Sequence, residues 1–454
     1  MHISYDRELG RVETPQGTMT LSKVFIPFFL EMFLMNFMGT VNTFMLSYFS
    51  DNAVAAVGAA SQFSGMIQTF YAVIGTGASI VISHYLGAGK KEQTADAVLC
   101  SLLFGGVFSL AVSMVISQLA LPCMRLMNIE GEILQEAADY FSICMRFSFL
   151  AALFSIISSV FKSYGFPRLS VGISLGMNVL NALLDYFVIF QPFSFPFKGV
   201  SGIAWCNNLS RAAGLFCMIV LMLRLPLGLS FRHVTLKSFS KIGTVLRVGV
   251  PGGISSLSYN ISQTVTTSII ALVGVSAISA KIYVSNLVFY VYVLGMSLGL
   301  STSLLIGWLC GAGKYEQAYR LNLQNLKVTL LLNASLSILL FLFGKPLLSL
   351  FTSDPEILKM GKALLFFDIF VEIFRGFNHI EENSLRGAGD VVFPMVVSIC
   401  SCWIMSVLFS YILGVRLGLG LVGCWIAFAM DEAFRGINYF FRWKSRKWMK
   451  KTLA

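Results

Sequence analysis

The sequence has few charged residues for its length. Only 12% of its 454 residues are Asp, Glu, Lys or Arg, whereas soluble domains carry about 25%. Acidic residues are fewer than basic residues, with 22 Asp and Glu against 33 Lys and Arg. Hydrophobic residues make up 56% of the chain. This balance excludes an ordinary soluble domain and favours a protein that spans a membrane.

Cysteine clusters and nucleotide-binding motifs are also missing from the sequence. The nine Cys are scattered in apolar stretches, so their spacing gives neither a disulfide framework nor a zinc site. No Walker-type phosphate loop occurs, which argues against direct use of ATP. No nucleophile–base constellation appears, so we expect neither an enzyme nor a resident cofactor. Residues 1–20 lack the apolar core and cleavage site of a signal peptide.

Apolar stretches recur that are long enough to cross a hydrocarbon core of about 30 Å, which takes about 20 helical residues. We therefore predict an all-α polytopic membrane protein with twelve transmembrane helices. The predicted spans are 23–49, 54–84, 96–122, 134–161, 168–192, 199–223, 243–272, 276–309, 323–343, 358–384, 391–413 and 420–441.

Basic residues are distributed unequally between the predicted loops. With both termini in the cytoplasm, the cytoplasmic segments hold about 21 Lys and Arg and the opposite loops about six. This asymmetry follows the positive-inside rule, and it predicts cytoplasmic termini. It also accounts for the net charge of +11 without nucleic-acid binding. The basic tail suits anionic lipid headgroups.

One seven-residue phrase occurs twice, 224 positions apart. Gly87–Gln93 reads GAGKKEQ and Gly311–Gln317 reads GAGKYEQ, and the same offset relates Pro27 to Pro251. We infer a duplicated unit of six helices. Because six is an even number, the repeats should be parallel and related by a pseudo-twofold axis along the membrane normal. We interpret the phrase as a helix C-terminus at the water boundary.

The duplication predicts a division of the chain into two lobes. Gly199 and Gly420 open the sixth span of each lobe, at an offset that has slipped to 221. The predicted parts are a cytoplasmic tail at 1–20, an N-terminal lobe at 21–223, a cytoplasmic linker at 224–242, a C-terminal lobe at 243–441 and a basic cytoplasmic tail at 442–454.

Several motifs, in their order and spacing, resemble the multidrug and toxic compound extrusion (MATE) family of secondary transporters, within the wider multidrug/oligosaccharidyl-lipid/polysaccharide exporter superfamily. They are Pro27–Leu46, AVAAVG at 53–58, both glycine phrases, NALLD at 181–185 and LRGAGD at 385–390. The resemblance covers about 20–441. It implies a two-lobed exporter in a bacterial plasma (inner) membrane that exchanges drugs or cationic, amphiphilic metabolites for Na⁺ or H⁺. We expect a monomer.

Three positions depart from the family pattern. Asn42 stands where family members commonly have Asp, and Tyr259 stands where many have a carboxylate in span seven. The acid of span ten aligns with Arg375. Because these coupling residues are missing or displaced, the resemblance does not identify the coupling ion.

A polar group in span five is the main candidate for coupling, because a charge at the bilayer centre costs about 2.5–3.5 kcal/mol or more. Asp185 has Asn181 one turn before it on the same face. Asn42 and Asn207 reach a similar depth, and the resemblance brings all four together. The carboxylate and amide oxygens could bind Na⁺, with Asp185 as ligand, or Asp185 could carry a proton. A static packing network is the alternative.

Span ten carries a charged stripe. Asp368, Glu372, Arg375 and His379 fall on one helical face, so they should line a cleft or the interior of the lobe. Glu372 and Arg375 are also spaced for an ion pair. Two interpretations stay open: a coupling role, or a structural pair followed by a solvated cytoplasmic end at 381–382.

Two further groups need polar partners inside the membrane. Glu31 is predicted to be an unpaired acid that could meet Arg375 or a cationic drug. In span twelve, the segment 431–435 (DEAFR) has acids and an arginine one turn apart that could neutralise each other. The candidates for substrate binding or gating are Glu31, Glu372, Arg375, Asp368 and Tyr259.

Two functions fit these features. The first is secondary antiport by alternating access. The alternative is a flippase for a lipid-linked saccharide or lipid. Twelve spans and an acidic interior favour the exporter.

Overall fold

The protein is almost entirely helical. The computed structural model describes residues 11–14, 17–48, 50–126, 131–192, 196–225, 227, 240–451 and 453. In this part of the chain, long helices follow one another with short connections, and one small hairpin precedes the first helix. The predicted all-α fold class is confirmed.

The first half of the chain forms eight helices. They are α1 (Leu21–Ser47), α2 (Asp51–Gly87), α3 (Lys91–Gln118), α4 (Ala120–Arg125), α5 (Glu132–Arg146), α6 (Ser148–Ser163), α7 (Pro167–Phe190) and α8 (Gly199–Arg224). The predicted fourth span, 134–161, is divided between α5 and α6, which meet at a bend of 46°. Pro27 lies inside α1.

The second half repeats this order. It consists of α9 (Ser240–Val273), α10 (Val275–Gly311), α11 (Tyr315–Leu342), α12 (Gly344–Leu348), α13 (Pro355–Gly387), α14 (Val392–Ser401) and α15 (Gly420–Lys444). After α14 the helix continues in π-helical form through Cys402–Leu408 and Ser410–Arg416. A 3₁₀ turn, Lys447–Lys450, follows α15.

Long helical segments correspond to the twelve predicted spans, six in each half. Among the described residues, eight helices are long and apolar enough to cross a membrane, or nine if the bent pair α5–α6 counts as one span. The other three are α9, α13 and α15. They are less apolar because α9 is rich in Ser and Thr, and because α13 and α15 carry Asp, Glu and Arg.

Two compact units can be distinguished, and their boundaries differ from the predicted lobes. Unit 1 contains Met1–Phe29, Ser83–Gly89 and Ile254–Ala454, and unit 2 contains Leu30–Ile82 and Lys90–Gly253. Unit 1 therefore includes parts of α1 and α2 from the first half of the sequence, and unit 2 includes the beginning of α9 from the second half. Unit 2 has a core around Tyr71, Phe141 and Met145. Unit 1 has one core around Leu364 and another around Trp443.

The two glycines of the repeated phrase are required for different structural reasons. Gly89 and Gly313 have φ of +70° and +73° just after their helices end, which supports the helix C-terminus interpretation. Gly87 is required by close packing instead, because a Cβ there would collide with the carbonyl oxygen of Trp308. Gly311 makes the same contact in reverse, against the carbonyl oxygen of His84. Sequence analysis did not separate these two roles.

The ends of the chain are folded onto unit 1 rather than being simple tails. Strand β1 (Val12–Thr14) pairs antiparallel with β2 (Gly17–Met19), inside the predicted tail 1–20. Val12 and Met19 are buried in the same cluster as Trp443 and Trp448, two residues of the predicted basic tail. Those two indole rings stack with centroids 4.1 Å apart. In the predicted linker, residues 226 and 228–239 lie outside the described residues.

Candidate functional site

A cavity of about 620 Å³ lies within unit 2, and Asp185 lines it. We call it the Asp185 cavity. Asn42 from α1 and Asn207 from α8 line it as well, so three of the four predicted coupling residues share one wall. Tyr140 of α5 also lines it, and sequence analysis missed this residue because it lies among many apolar aromatics.

The carboxylate of Asp185 is buried without a counter-charge. Its side chain is 3% exposed, and its Oδ1 atom has no hydrogen-bond partner in the described part of the chain. Next to this cavity, the Nδ2 atom of Asn42 donates to Oδ1 of Asn181 at 3.2 Å. This contact leaves Oδ1 of Asn42 without a donor. Two oxygens of the kind that bind hard cations are therefore unpartnered in this region.

A second cavity in unit 2, of about 390 Å³, is lined by Arg211 of α8. We call it the Arg211 cavity. Glu31 lies in its wall and forms an ion pair with Lys162 of α6, with Nζ and Oε2 at 2.6 Å. The prediction that Glu31 is unpaired was wrong, because the partner lies 131 positions away on another helix. Lys162, a cation in a long apolar stretch, was the signal that could have suggested this pair.

The Asp185 and Arg211 cavities have part of their walls in common. Met35, Gly39, Asn42 and Asn207 line both. Asn181 lines only the Arg211 cavity. Unit 2 therefore contains two adjoining polar spaces, one with an acid and one with an arginine.

In unit 1 the charged residues of α13 and α15 neutralise each other. Glu432 accepts from Nε of Arg375 at 3.2 Å and from Nδ2 of Asn378 at 2.7 Å, and it forms an ion pair with Nη2 of Arg435 at 3.2 Å. Arg375 also pairs with Glu372 on its own helix, as the spacing predicted. Arg375 thus joins two acids on two helices.

The remaining acid of the predicted span-twelve motif is satisfied in the same way. Asp431 accepts from Nη2 of Arg435 at 2.6 Å and from the hydroxyl of Ser401 at 2.6 Å. The guanidinium of Arg435 lies 5.6 Å from the ring centre of Tyr259. The predicted neutralisation within α15 is confirmed, and Tyr259 forms part of the same cluster.

A smaller cavity of about 190 Å³ borders this cluster. Asp368, Arg375 and Tyr259 line it, and Asp368 accepts a hydrogen bond from the indole of Trp425 at 3.1 Å. Lys281 of α10 also lines it and donates to the hydroxyl of Thr267. Lys281 was not singled out from the sequence, although it is a lone cation in an apolar span.

The end of α13 that contains Glu381 and Glu382 is less solvated than expected. Glu381 is fully buried and accepts a long hydrogen bond from Nδ2 of Asn322 at 3.4 Å. Glu382 pairs with Arg386 at 2.5 Å. The ring of His379 packs edge-on against Tyr292, with centroids 5.3 Å apart. The solvated end predicted at 381–382 is therefore wrong for Glu381, which packs against α11.

Transition metals in proteins are held by groups of His, Cys, Asp and Glu side chains. Among the residues with described positions, no set of three or more His, Cys, Asp or Glu could hold a metal ion. A site for Na⁺ would instead use the carboxylate and amide oxygens around Asp185.

Membrane-spanning helices in a twofold repeated order, with polar cavities inside, define a solute transporter. The model of the MatE family matches residues 27–187 and 251–412. The chain belongs to the MatE family of transporters.

Individual relatives and solved structures agree with this assignment. The chain is 35% identical over 438 residues to the uncharacterized transporter YisQ of Bacillus subtilis, covering 96% of each protein. It is 26% identical over 449 residues to the probable multidrug resistance protein NorM of Thermotoga maritima, covering 98% of this chain and 96% of NorM. A structure described as the outward-facing conformation of a multidrug resistance MATE family transporter of the MOP superfamily matches with a TM-score of 0.88, 20% identity and full coverage of both chains. That last likeness concerns the fold.

Proposed function

We propose that this protein is a multidrug exporter that works as a secondary antiporter. It would move small amphiphilic molecules out of the cell by alternating access, in exchange for H⁺ or Na⁺. The name of the Thermotoga relative supports multidrug export, and the cavities in unit 2 provide space for small molecules. The protein would act as a monomer in a bacterial inner membrane, surrounded by lipid and with both termini in the cytoplasm.

The observation that carries this proposal is the state of Asp185. A buried carboxylate without a counter-charge is costly in a membrane protein, and it needs a compensating cation or proton. Here the cavity lets either one reach the carboxylate, and Asn42 adds an unpartnered oxygen. Asp185 would therefore bind the coupling ion, with Asn42, Asn181 and Asn207 shaping its surroundings.

The charged residues of unit 1 would have a different role. Arg375 pairs with Glu372 on α13 and with Glu432 on α15, so we propose that Glu372 and Arg375 fix the arrangement of α13 against α15. Asp368 and Tyr259 line the neighbouring cavity and would contact substrate or the gating elements. Glu31 would contribute through its pair with Lys162.

Dye efflux from proteoliposomes tests the proposal, with Na⁺ and pH gradients imposed separately. We expect one gradient to drive efflux in the wild type and Asp185→Asn to abolish it, because the amide removes the ionisable group at nearly constant size. Asp354→Asn is the matched control. Asp354 caps α13 by accepting from the backbone of Glu356 and Ile357, which an amide oxygen can also do.

Two results would count against the proposal. Full gradient-driven efflux by Asp185→Asn would remove Asp185 from the mechanism. If the wild type exports nothing under either gradient but is stabilised by a lipid-linked saccharide, the flippase function would replace the exporter.

A further inference from the structure

Arg211 lies in the middle of a membrane-spanning helix, and no acid among the described residues forms an ion pair with it. It is near the centre of α8, where a charge costs about 2.5–3.5 kcal/mol or more if it faces lipid. Its side chain faces the Arg211 cavity. Within the described ranges, its guanidinium forms no hydrogen bond, ion pair or cation–π contact, and its charge interacts electrostatically with the side chains of Tyr140 and Cys144, which are neutral. This contrasts with Arg375, Arg386, Arg435 and Arg442, each of which pairs with an acid.

The repeat shows what the second half places at this position. Helices α8 and α15 begin at Gly199 and Gly420, so Arg211 corresponds to Glu432 at the same offset of 221. Glu432 is the acid that joins the charged cluster of unit 1. The charge at this position is therefore reversed between the two halves.

The partners of Glu432 have no charged counterparts around Arg211. Helices α6 and α13 end at Ser163 and Gly387, 224 positions apart, so Arg375 corresponds to Ala151, which lines the Arg211 cavity. Arg435 corresponds to Gly214 by the offset of 221. Large charged side chains in one half are thus replaced by small residues in the other, and space remains beside Arg211.

The wall opposite this space is rich in hydrogen-bond donors. Ser155, Ser158, Ser159 and Lys162 lie on one face of α6 at helical spacing, and all four line the cavity. Lys162 is already neutralised by Glu31. One uncompensated positive charge, that of Arg211, therefore remains among hydroxyl groups.

We propose that Arg211 binds a carboxylate on the exported molecule, an inference that rests on the proposed export function. A guanidinium binds a planar carboxylate through two parallel hydrogen bonds, and one net positive charge balances one carboxylate. A phosphate dianion would leave a negative charge buried. The molecule that fits is an amphiphile that carries a carboxylate.

The adjoining Asp185 cavity narrows the substrate class further. Asn207 lies one turn before Arg211 on α8 and lines both cavities. A molecule that extends from one cavity into the other, along the residues that line both, would place its carboxylate at Arg211 and a cationic group towards Asp185. Zwitterionic amphiphiles should therefore be preferred to purely cationic ones of the same shape.

A rhodamine that carries a free carboxylate and its methyl ester form a matched pair of probes. Binding of both to the purified full-length protein is measured by fluorescence polarisation, which does not depend on transport. For the wild type we expect the acid to bind at least about tenfold more tightly than the ester, as a charge-assisted pair of hydrogen bonds contributes. Arg211→Gln should weaken binding of the acid about tenfold and change binding of the ester less than about twofold.

Two further variants separate charge from folding. Arg211→Lys keeps the positive charge but loses the fork geometry, so it should retain part of the preference for the acid. Arg224→Gln, at the exposed end of the same helix, should leave both affinities unchanged. Thermal unfolding of each variant shows whether it is folded.

The outcomes distinguish this inference from the proposed function. If the wild type binds the ester as tightly as the acid, the inference is overturned even if Arg211→Gln does not fold. If Arg211→Gln keeps the preference for the acid, it is overturned as well. Efflux of the ester with no preference for the acid would leave the export function standing. Tight binding of the acid without any gradient-driven efflux would instead overturn the export function.

Discussion

Asp185 and Glu432 are both buried acids on membrane-spanning helices, but their surroundings differ. Glu432 forms ion pairs with two arginines and accepts from an asparagine, so its charge is compensated by the protein itself. Asp185 has a buried oxygen without any donor in the described structure and faces a cavity. The first arrangement holds two helices together, whereas the second leaves a carboxylate oxygen facing the cavity.

This difference predicts the effect of removing a compensated charge. Glu432→Gln should destabilise the protein by about 3–5 kcal/mol, because two buried arginines lose the acid between them. The thermal unfolding midpoint in detergent should fall accordingly. Glu316→Gln is the control, since Glu316 pairs with Arg320 and Arg446 at half-exposed positions, where a pair contributes about 1 kcal/mol or less. Equal midpoints for the two variants would contradict the structural role of Glu432.

Sequence spacing could predict only contacts within one helix. The pairs of Glu372 with Arg375 and of Asp431 with Arg435 follow directly from helical periodicity. The contact of Arg375 with Glu432 joins residues 57 positions apart. Such a contact depends on how helices pack, which the spacing of residues along one helix does not give. The same reason explains why the partner of Glu31 was missed.

At the scale of helices, the most restrictive packing is where the ends of α2 and α10 meet. Gly87 and Gly311 each lie against a backbone carbonyl of the other helix. Backbone atoms cannot rotate away as a side chain can, so even one methyl group would force the helices apart.

This packing predicts that Gly87→Ala destabilises the protein by about 1–3 kcal/mol and impairs transport. Gly65→Ala, on the same helix, should be neutral or stabilise by up to about 1 kcal/mol, because a Cβ there meets open space and alanine favours helix. Thermal unfolding and efflux of the two variants test this. An equal response at both positions would show that the crossing tolerates a side chain.

Helix existence was predictable from composition, but helix interruptions were not. The bend between α5 and α6 falls at Phe147, where neither Pro nor Gly marks it. The π-helical continuation of α14 also lies in a stretch whose composition is ordinary for a span. Both features arise from tertiary packing. The polar spans α9 and α13 were still predicted, because each contains a long apolar stretch.

At the scale of the whole chain, its two ends meet in one hydrophobic cluster of unit 1. Val12 and Met19 of the hairpin pack there with Trp443 and Trp448. The basic residues of the tail suggested only an interaction with anionic lipid headgroups, since charge dominates its composition. The indole of Trp448 is fully buried, so the tail also stabilises the fold.

Truncating the side chain of Trp448 should therefore lower the stability of the protein. We expect Trp448→Ala to destabilise the protein by about 3–5 kcal/mol, the usual range for a buried Trp. Lys450→Ala is the control in the same tail, because Lys450 is exposed. The two unfolding midpoints should differ clearly, and limited proteolysis should cleave the N-terminal hairpin faster in Trp448→Ala. Coincident midpoints would mean that the tail is dispensable for stability.

The reciprocal glycine contact also bears on how the duplicated halves could change after they arose. His84 and Trp308 are equivalent under the offset of 224. The same glycine–carbonyl contact therefore occurs twice, with the roles of the two halves reversed. A substitution at this contact in either half must then be compensated by a substitution in the other half, so the two halves should change together at these positions. Arg211 and Glu432 are equivalent positions that do not share such a contact. The same position of the ancestral unit could therefore acquire opposite charges in the two halves.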